Sequence, residues 1–186
     1  MSRRLLLVRH CESSGQEPEA PLTARGHAQA RELAGRLAPL APDHIVSSPF
    51  VRARQSVAPL AAARALAVAI EPRLAERRLG VDPFGDWRQA LRASFADLDR
   101  SYPDGESART AQQRGRAVVE AVLSSQHRLP VLATHGNLLS LLLASVDGRF
   151  GYADWERLAN PDVFVLTVAG DAWSYARWTG APLEPT

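Results

Sequence analysis

Leu5 to Val8 forms a short, unbroken apolar run between charged residues, and this brevity constrains the chain more than any other feature. A run of that kind suits a strand covered on both faces of a parallel sheet, where no polar alternation is tolerated. Val131 to Ala133 repeats the pattern, and His44 to Ser47 and Ala67 to Ile70 are further candidate strands. The intervening segments have helical spacing. Thr23 is placed to N-cap a helix carrying Ala30, Leu33, Ala34 and Leu37, stopped by Pro39 and Pro42. Val51 to Arg64, the stretch from the PDGES turn (Pro103 to Ser107) to about Gln126, and Asn137 to Val146 are further predicted helices. Val163 to Val168 and Trp173 to Ala176 are predicted as an antiparallel hairpin around Gly170-Asp171.

Such alternation predicts an α/β fold: a three-layer sandwich with a mostly parallel central sheet flanked by helices. Its ligand crevice is expected at the carboxyl ends of the strands. With 186 residues, 46% of them apolar, residues 1–186 suffice for a single domain and a sizeable core. The less regular stretch 80–106, with Phe84, Trp87, Phe95 and Tyr102, is expected to be an insertion covering the substrate.

Charge narrows the classes of partner. Twenty-two basic residues against 20 acidic ones leave a formal net charge of +2, which gives no general reason to expect nucleic acid or an acidic membrane. Every basic residue is Arg, so no Lys nucleophile is available and each cationic contact is a guanidinium. Cys11 is the only cysteine, which excludes an intrachain disulfide and a multi-cysteine metal site. The N-terminal apolar run falls short of a secretory h-region, and Leu138 to Val146, interrupted by Ser140 and Ser145, falls short of a membrane span. The expectation is a cytoplasmic chain. Its oligomeric state is unreadable.

The strand ends carry the chemistry. Arg9-His10 follows one predicted strand, Ser47-Ser48-Pro49 with Arg52 just beyond follows a second, and His135-Gly136 a third. Phosphoryl transfer depends mainly on positioning and charge neutralisation, and Arg9 and Arg52 have the fork geometry that matches phosphate oxygens. His135, when protonated, would add a donor. The amides of Gly136 and Asn137 would open a helix whose N-terminus favours an anion; Asn137 as a mere helix cap is the other reading. A neutral His10 could attack phosphorus. Glu76, in RLAERRLG, is the candidate acid for the leaving oxygen, its carboxyl held protonated by a phosphate-rich site. Alternatively it is a solvated partner of Arg77 and Arg78, with Glu106 as the fallback acid.

LLLVRHCESSGQ resembles the R-H-G-E-[ST] signature of the histidine phosphatase superfamily, the phosphoglycerate mutase-like clan. The likeness runs along nearly the whole chain. PLTARGHAQA is similar to that family's L-T-x-x-G-x-x-Q-A, SSPFVRARQS to its S-S-P-x-x-R-A-x-Q, and RLAERRLG to its acid segment. PDGES is similar to its P-x-G-E-S turn and ATHGN to its second histidine motif. The resemblance implies that His10 is the phosphorylated nucleophile and that Arg9, Arg52 and His135 form the phosphate pocket. It further implies that Glu76 is the proton donor and Ser13 a small polar phosphate contact. Two positions depart from the pattern. Cys11 replaces the usual Gly, and Gln16 stands where many members have a phosphate-binding Asn; Gln keeps an amide donor on a longer arm.

The implied partner is a small phosphorylated metabolite. No metal is implied, because the histidines and carboxylates lack HExxH or comparable spacing, and no other cofactor is. Hydrolysis of a phosphomonoester is preferred. Family mutases have Tyr where Leu79 stands, and a longer insertion before the P-x-G-E-S turn. Arg77 and Arg78, as potential readers of a carboxylate, keep mutase-type phosphoryl transfer open. A non-catalytic phospholigand-binding module is a third reading, opposed by the intact His10, Arg9, Arg52 and His135. HCESSGQE also superficially resembles the H-C-x(5)-R loop of cysteine-dependent phosphatases, but Glu17 stands where that chemistry needs Arg.

Overall fold

A computed structural model describes residues 2–81 and 85–183. Pro83 and Phe84, both assigned above to the covering insertion, lie outside the described residues. Six strands form one sheet in the order β3-β2-β4-β1-β5-β6. They are β1 (Ser2–Arg9), β2 (His44–Ser47), β3 (Val68–Ile70), β4 (Pro130–Thr134), β5 (Asp162–Ala169) and β6 (Ala172–Arg177). The pairs β3–β2, β2–β4 and β4–β1 are parallel, whereas β5 runs antiparallel to both β1 and β6. The predicted sandwich is therefore the observed one, closed by the predicted hairpin.

Alternation along β1 explains the layering. Leu5 and Leu7 enter one buried cluster, and Leu6 and Val8 enter the other, as successive side chains on a strand must. The first cluster is filled by α4 (Ala108–Leu123) and α5 (Gly136–Asp147), the second by α1 (Ala24–Leu37) and α2 (Val51–Arg64). Thr23 caps α1 as expected, its hydroxyl accepting the Gly26 N–H at 2.9 Å. Because α1 and α5 leave adjacent strands β1 and β4 for opposite faces, a crevice opens between those two strand ends, as at any topological switch point.

Within the stretch 80–106, Trp87, Ala90, Leu91, Ser94 and Phe95 recur at helical spacing and lie on one helix. α3 (Trp87–Ala96), N-capped by Asp86, packs on α6 (Tyr152–Glu156). Trp87 meets Trp155 and Phe95 meets Tyr152 edge-to-face, with ring centroids 5.9 and 6.3 Å apart. Phe95 also reaches the core below, so the aromatic spacing here is mainly that of a helix packing face. Behind α3 the chain is stitched to itself. Val81 donates to the Pro103 carbonyl and Glu106 to that of Arg78, both at 2.8 Å. A Cβ on Gly105 would lie 2.3 Å from the Leu79 oxygen, and Gly80 has φ +93°. The PDGES turn and the acid segment approach so closely because both are glycine at the crossing.

Candidate active site

Main-chain bonds beyond the strands bring the three strand ends together. The His10 amide donates to Thr134 O at 3.0 Å and that of Ser48 to Ala133 O at 2.9 Å, so each sheet ladder continues one step into the crevice. His10 and His135 thereby sit with ring centroids 5.2 Å apart, edge to face.

His10 has a defined orientation. Its Nδ1 lies 2.7 Å from the Cys11 carbonyl. A carbonyl only accepts, so Nδ1 carries the hydrogen and Nε2 presents a lone pair. That nitrogen receives the Nε–H of Arg52 at 3.2 Å. Burial, reinforced by the charges of Arg52 and Arg9 against the raising effect of the Cys11 carbonyl, pulls the imidazole pKa down to about 4. His10 is thus neutral across the physiological range. Asn160 fixes its backbone, donating Nδ2–H to His10 O at 2.7 Å.

The guanidiniums are held from behind. Arg52, 1% exposed, donates Nη1–H to Gln16 O and Glu17 O at 3.0 and 2.8 Å and lies 4.9 Å from the Phe50 ring centre. Arg9 Nη1 donates to Leu158 O at 2.8 Å and Ala159 O at 3.3 Å, while its buried Nε has no protein partner. That Nε would stand 3.1 Å from a Cβ on Gly136, so glycine is what lets the guanidinium lie against the start of α5.

Glu76 occupies the same helix start. Its Oε2 accepts the Asn137 N–H and its Oε1 those of Leu138 and Arg77, at 3.0, 3.0 and 2.8 Å. It is close enough to Arg9 and Arg52 to favour both cations. Three of the sequence expectations need correction here. The Asn137 amide is taken by this carboxylate rather than left for an anion. Its side-chain Oδ1 is buried without a partner. His135 is not a protonated donor, because burial and then the charges of His10, Arg52, Arg114 and Arg9 push its pKa well below the usual value. Glu106 is not a spare acid, since Arg114 grips both its oxygens at 2.7 and 2.8 Å. Arg77 is buried, with Nε on Glu106 O and Nη1 on Ser94 Oγ at 2.9 and 2.6 Å and a buried Nη2 that has no protein partner, whereas Arg78 is exposed.

The remaining candidates line the first loop. Ser13 donates its hydroxyl to Gly15 O at 2.9 Å, and Gln16, exposed, contributes its carbonyl to Arg52. Cys11 is fully buried, with its amide on Ser56 Oγ at 2.8 Å; burial pushes the thiol up to about 11, so it remains protonated at neutral pH. Sequence reasoning missed Asn160, Phe50, and the Leu158 and Ala159 carbonyls. Asn160-Pro161 is a turn signal, but nothing local ties it to His10. A separate cavity of about 470 Å³, lined by Arg149, Phe150, Phe164, Tyr175 and Arg177 among others, contains none of these residues.

A mostly parallel sheet with two histidines and two arginines at its switch point defines a class, and the chain belongs to it: residues 5–180 match the histidine phosphatase superfamily (branch 1). Within that family it is 30% identical to "Probable phosphoglycerate mutase GpmB" of Proteus mirabilis (strain HI4320), over 94% of this chain and 89% of that one. It superposes on the native structure of mycobacterial glucosyl-3-phosphoglycerate phosphatase with TM-score 0.79 and 25% identity, covering 97% of this chain and 100% of the other. The α-ribazole phosphatase of Shigella flexneri, 22% identical with TM-score 0.74 over 98% and 100% of the two chains, shares the fold.

Proposed function

We propose that the protein hydrolyses the phosphomonoester of a small metabolite through a phosphohistidine on His10. The observation that carries this reading is the tautomer of His10. Nδ1–H is anchored on Cys11 O, and the Nε2 lone pair faces the guanidinium of Arg52 at 3.2 Å. Nε2 attacks phosphorus, the N–P bond forms, and the bond to the leaving oxygen breaks. Arg9 and Arg52 neutralise the phosphoryl oxygens.

The leaving oxygen takes a proton from Glu76. Oε1 already accepts two N–H bonds and Oε2 one, so Oε2 has the site free to carry that proton. Water then attacks phosphorus, returns a proton to Glu76 and releases phosphate, restoring His10. The stretch 80–106, with α3, covers the leaving-group side. Gly136, Ser13 and Gln16 complete the phosphate surroundings through backbone or loop contacts, and Asn137 serves as part of the helix start that holds Glu76. Binding and transfer are assigned to these side chains alone, with no metal and no other cofactor.

Mutase activity is the second reading, favoured by the name of the relative in Proteus mirabilis. The engagement of Arg77 Nε and Nη1 with Glu106 and Ser94 favours hydrolysis, because it leaves this guanidinium only Nη2 for an anionic intermediate, which a mutase must retain while it reorients. A panel of phosphorylated metabolites, including 3-phosphoglycerate and glucosyl-3-phosphoglycerate, is scored for free phosphate and for isomerised product. Phosphate release with an acid-labile phosphoenzyme is expected; isomerisation without release selects the mutase, and neither product nor phosphoenzyme selects a binding module. His10→Ala abolishes turnover of p-nitrophenyl phosphate, whereas Cys11→Ser keeps most of it. The reverse pair of results would reinstate a cysteine nucleophile.

A further inference from the structure

His135 is wholly enclosed, with the Phe50 ring 4.9 Å away on one side and His10 on another. Its Nε2 lies 2.7 Å from Ser48 Oγ. The same oxygen accepts the Phe50 N–H at 3.2 Å. An amide N–H only donates, so that bond uses a lone pair of the serine oxygen and leaves the hydroxyl hydrogen to be placed. Its one acceptor among these bonds is His135 Nε2. A ring nitrogen that accepts carries no hydrogen, so a neutral ring in this setting holds its proton on Nδ1.

Nδ1 is buried and has no protein partner. Arg9 Nε is in the same condition, packed against Gly136, the residue after His135. Buried donors without an acceptor are rare and call for a specific explanation. Two of them on the ends of adjacent strands are explained by one acceptor supplied from outside the chain.

We infer that Ser48 is a positioning residue for His135: by donating to Nε2 it holds the neutral ring as the Nδ1–H tautomer and so makes an uncharged imidazole a donor to the bound oxyanion. The identity of that oxyanion as a phosphoryl group rests on the function proposed above. The tautomer does not. Arg9, Arg52, Arg114 and His10 all oppose a positive charge on His135, so the ring contributes a directed N–H rather than a cation. Ser48 stands at the end of β2, held there by its own amide on Ala133 O; the strand that delivers Arg52 thus also sets the ring on β4.

The test is ¹⁵N-histidine NMR of the full chain at pH 7, with His135 assigned by spectra of single variants at the other histidines. The wild-type ring is expected as the Nδ1–H tautomer. Ser48→Ala should shift it towards Nε2–H and weaken orthovanadate binding about tenfold, the scale of one lost hydrogen bond to a charged ligand; Ser48→Thr should restore both. An Nε2–H or doubly protonated ring in the wild type overturns the inference, and needs no folded variant. An unchanged tautomer in Ser48→Ala overturns it too. Failure of the phosphatase reading appears elsewhere, as a missing phosphoenzyme.

Discussion

A buried neutral histidine makes two demands on pH. Its pKa of about 4 in the folded chain, against about 6.5 when unfolded, means that the unfolded state binds more protons between those values. Stability is therefore full above about pH 6.5 and is lost as pH falls towards 4, by about 3 kcal/mol from this one group. Urea denaturation of wild type and His10→Asn across pH 4–7 should show the wild type losing stability relative to the variant on the acid side. The same depression keeps Nε2 unprotonated, so kcat/KM for p-nitrophenyl phosphate, corrected for ionisation of the substrate, should hold down to about pH 5. A limb near 6.5 would contradict the buried imidazole. Asn160 acts on the same residue through its backbone. Asn160→Ala removes the bond to His10 O and is expected to lower kcat about tenfold, with KM little changed, in steady-state assays.

Between elements, α3 is fastened at two places. Arg77 ties Ser94 of α3 to the segment that carries Glu76, and the aromatic pairs tie α3 to α6. The loop after α6 then supplies the carbonyls that hold Arg9 and the amide that holds His10. Arg77→Ala removes the donor to Ser94 Oγ and to the Glu106 carbonyl, and should speed hydrogen exchange of the α3 amides while leaving those of β1 and β4 protected. Gly105→Ala forces a Cβ onto the Leu79 oxygen, 2.3 Å away. A loss of about 1–3 kcal/mol in equilibrium unfolding is expected.

Across the whole molecule, the proposed function requires that an oxyanion bound at the crevice join the ends of β1, β2 and β4 in the folded chain alone. Orthovanadate at about 100 times its Kd should therefore raise stability by about 2.7 kcal/mol, read as a rise in Tm that Arg52→Met abolishes. Much of this frame is legible from residue order alone. Short apolar runs specify strands, doubly covered in β1 and β4 but not in the edge strand β3, and the residues closing those runs must meet at one sheet edge, so Arg9, His10, Arg52 and His135 are foreseeable as neighbours. The helix over Trp87–Ala96 carries a stripe at helical spacing, Trp87, Ala90, Leu91, Ser94 and Phe95, whereas its pairing with the short α6 is not foreseeable, because α6 is too short for a stripe of its own.

What the sequence determined by itself is what depends on neighbours a few residues apart: strand and helix type, the Thr23 cap, the hairpin, and which side chains each strand end delivers. The bonds that give those side chains their chemical state run over far greater separations. Glu76 meets Asn137, Ser48 meets His135 and Asn160 meets His10 across 61, 87 and 150 positions. A proton's place on a ring, or a carboxylate's place on a helix start, is set by groups within about 3 Å. Only folding decides which groups those are.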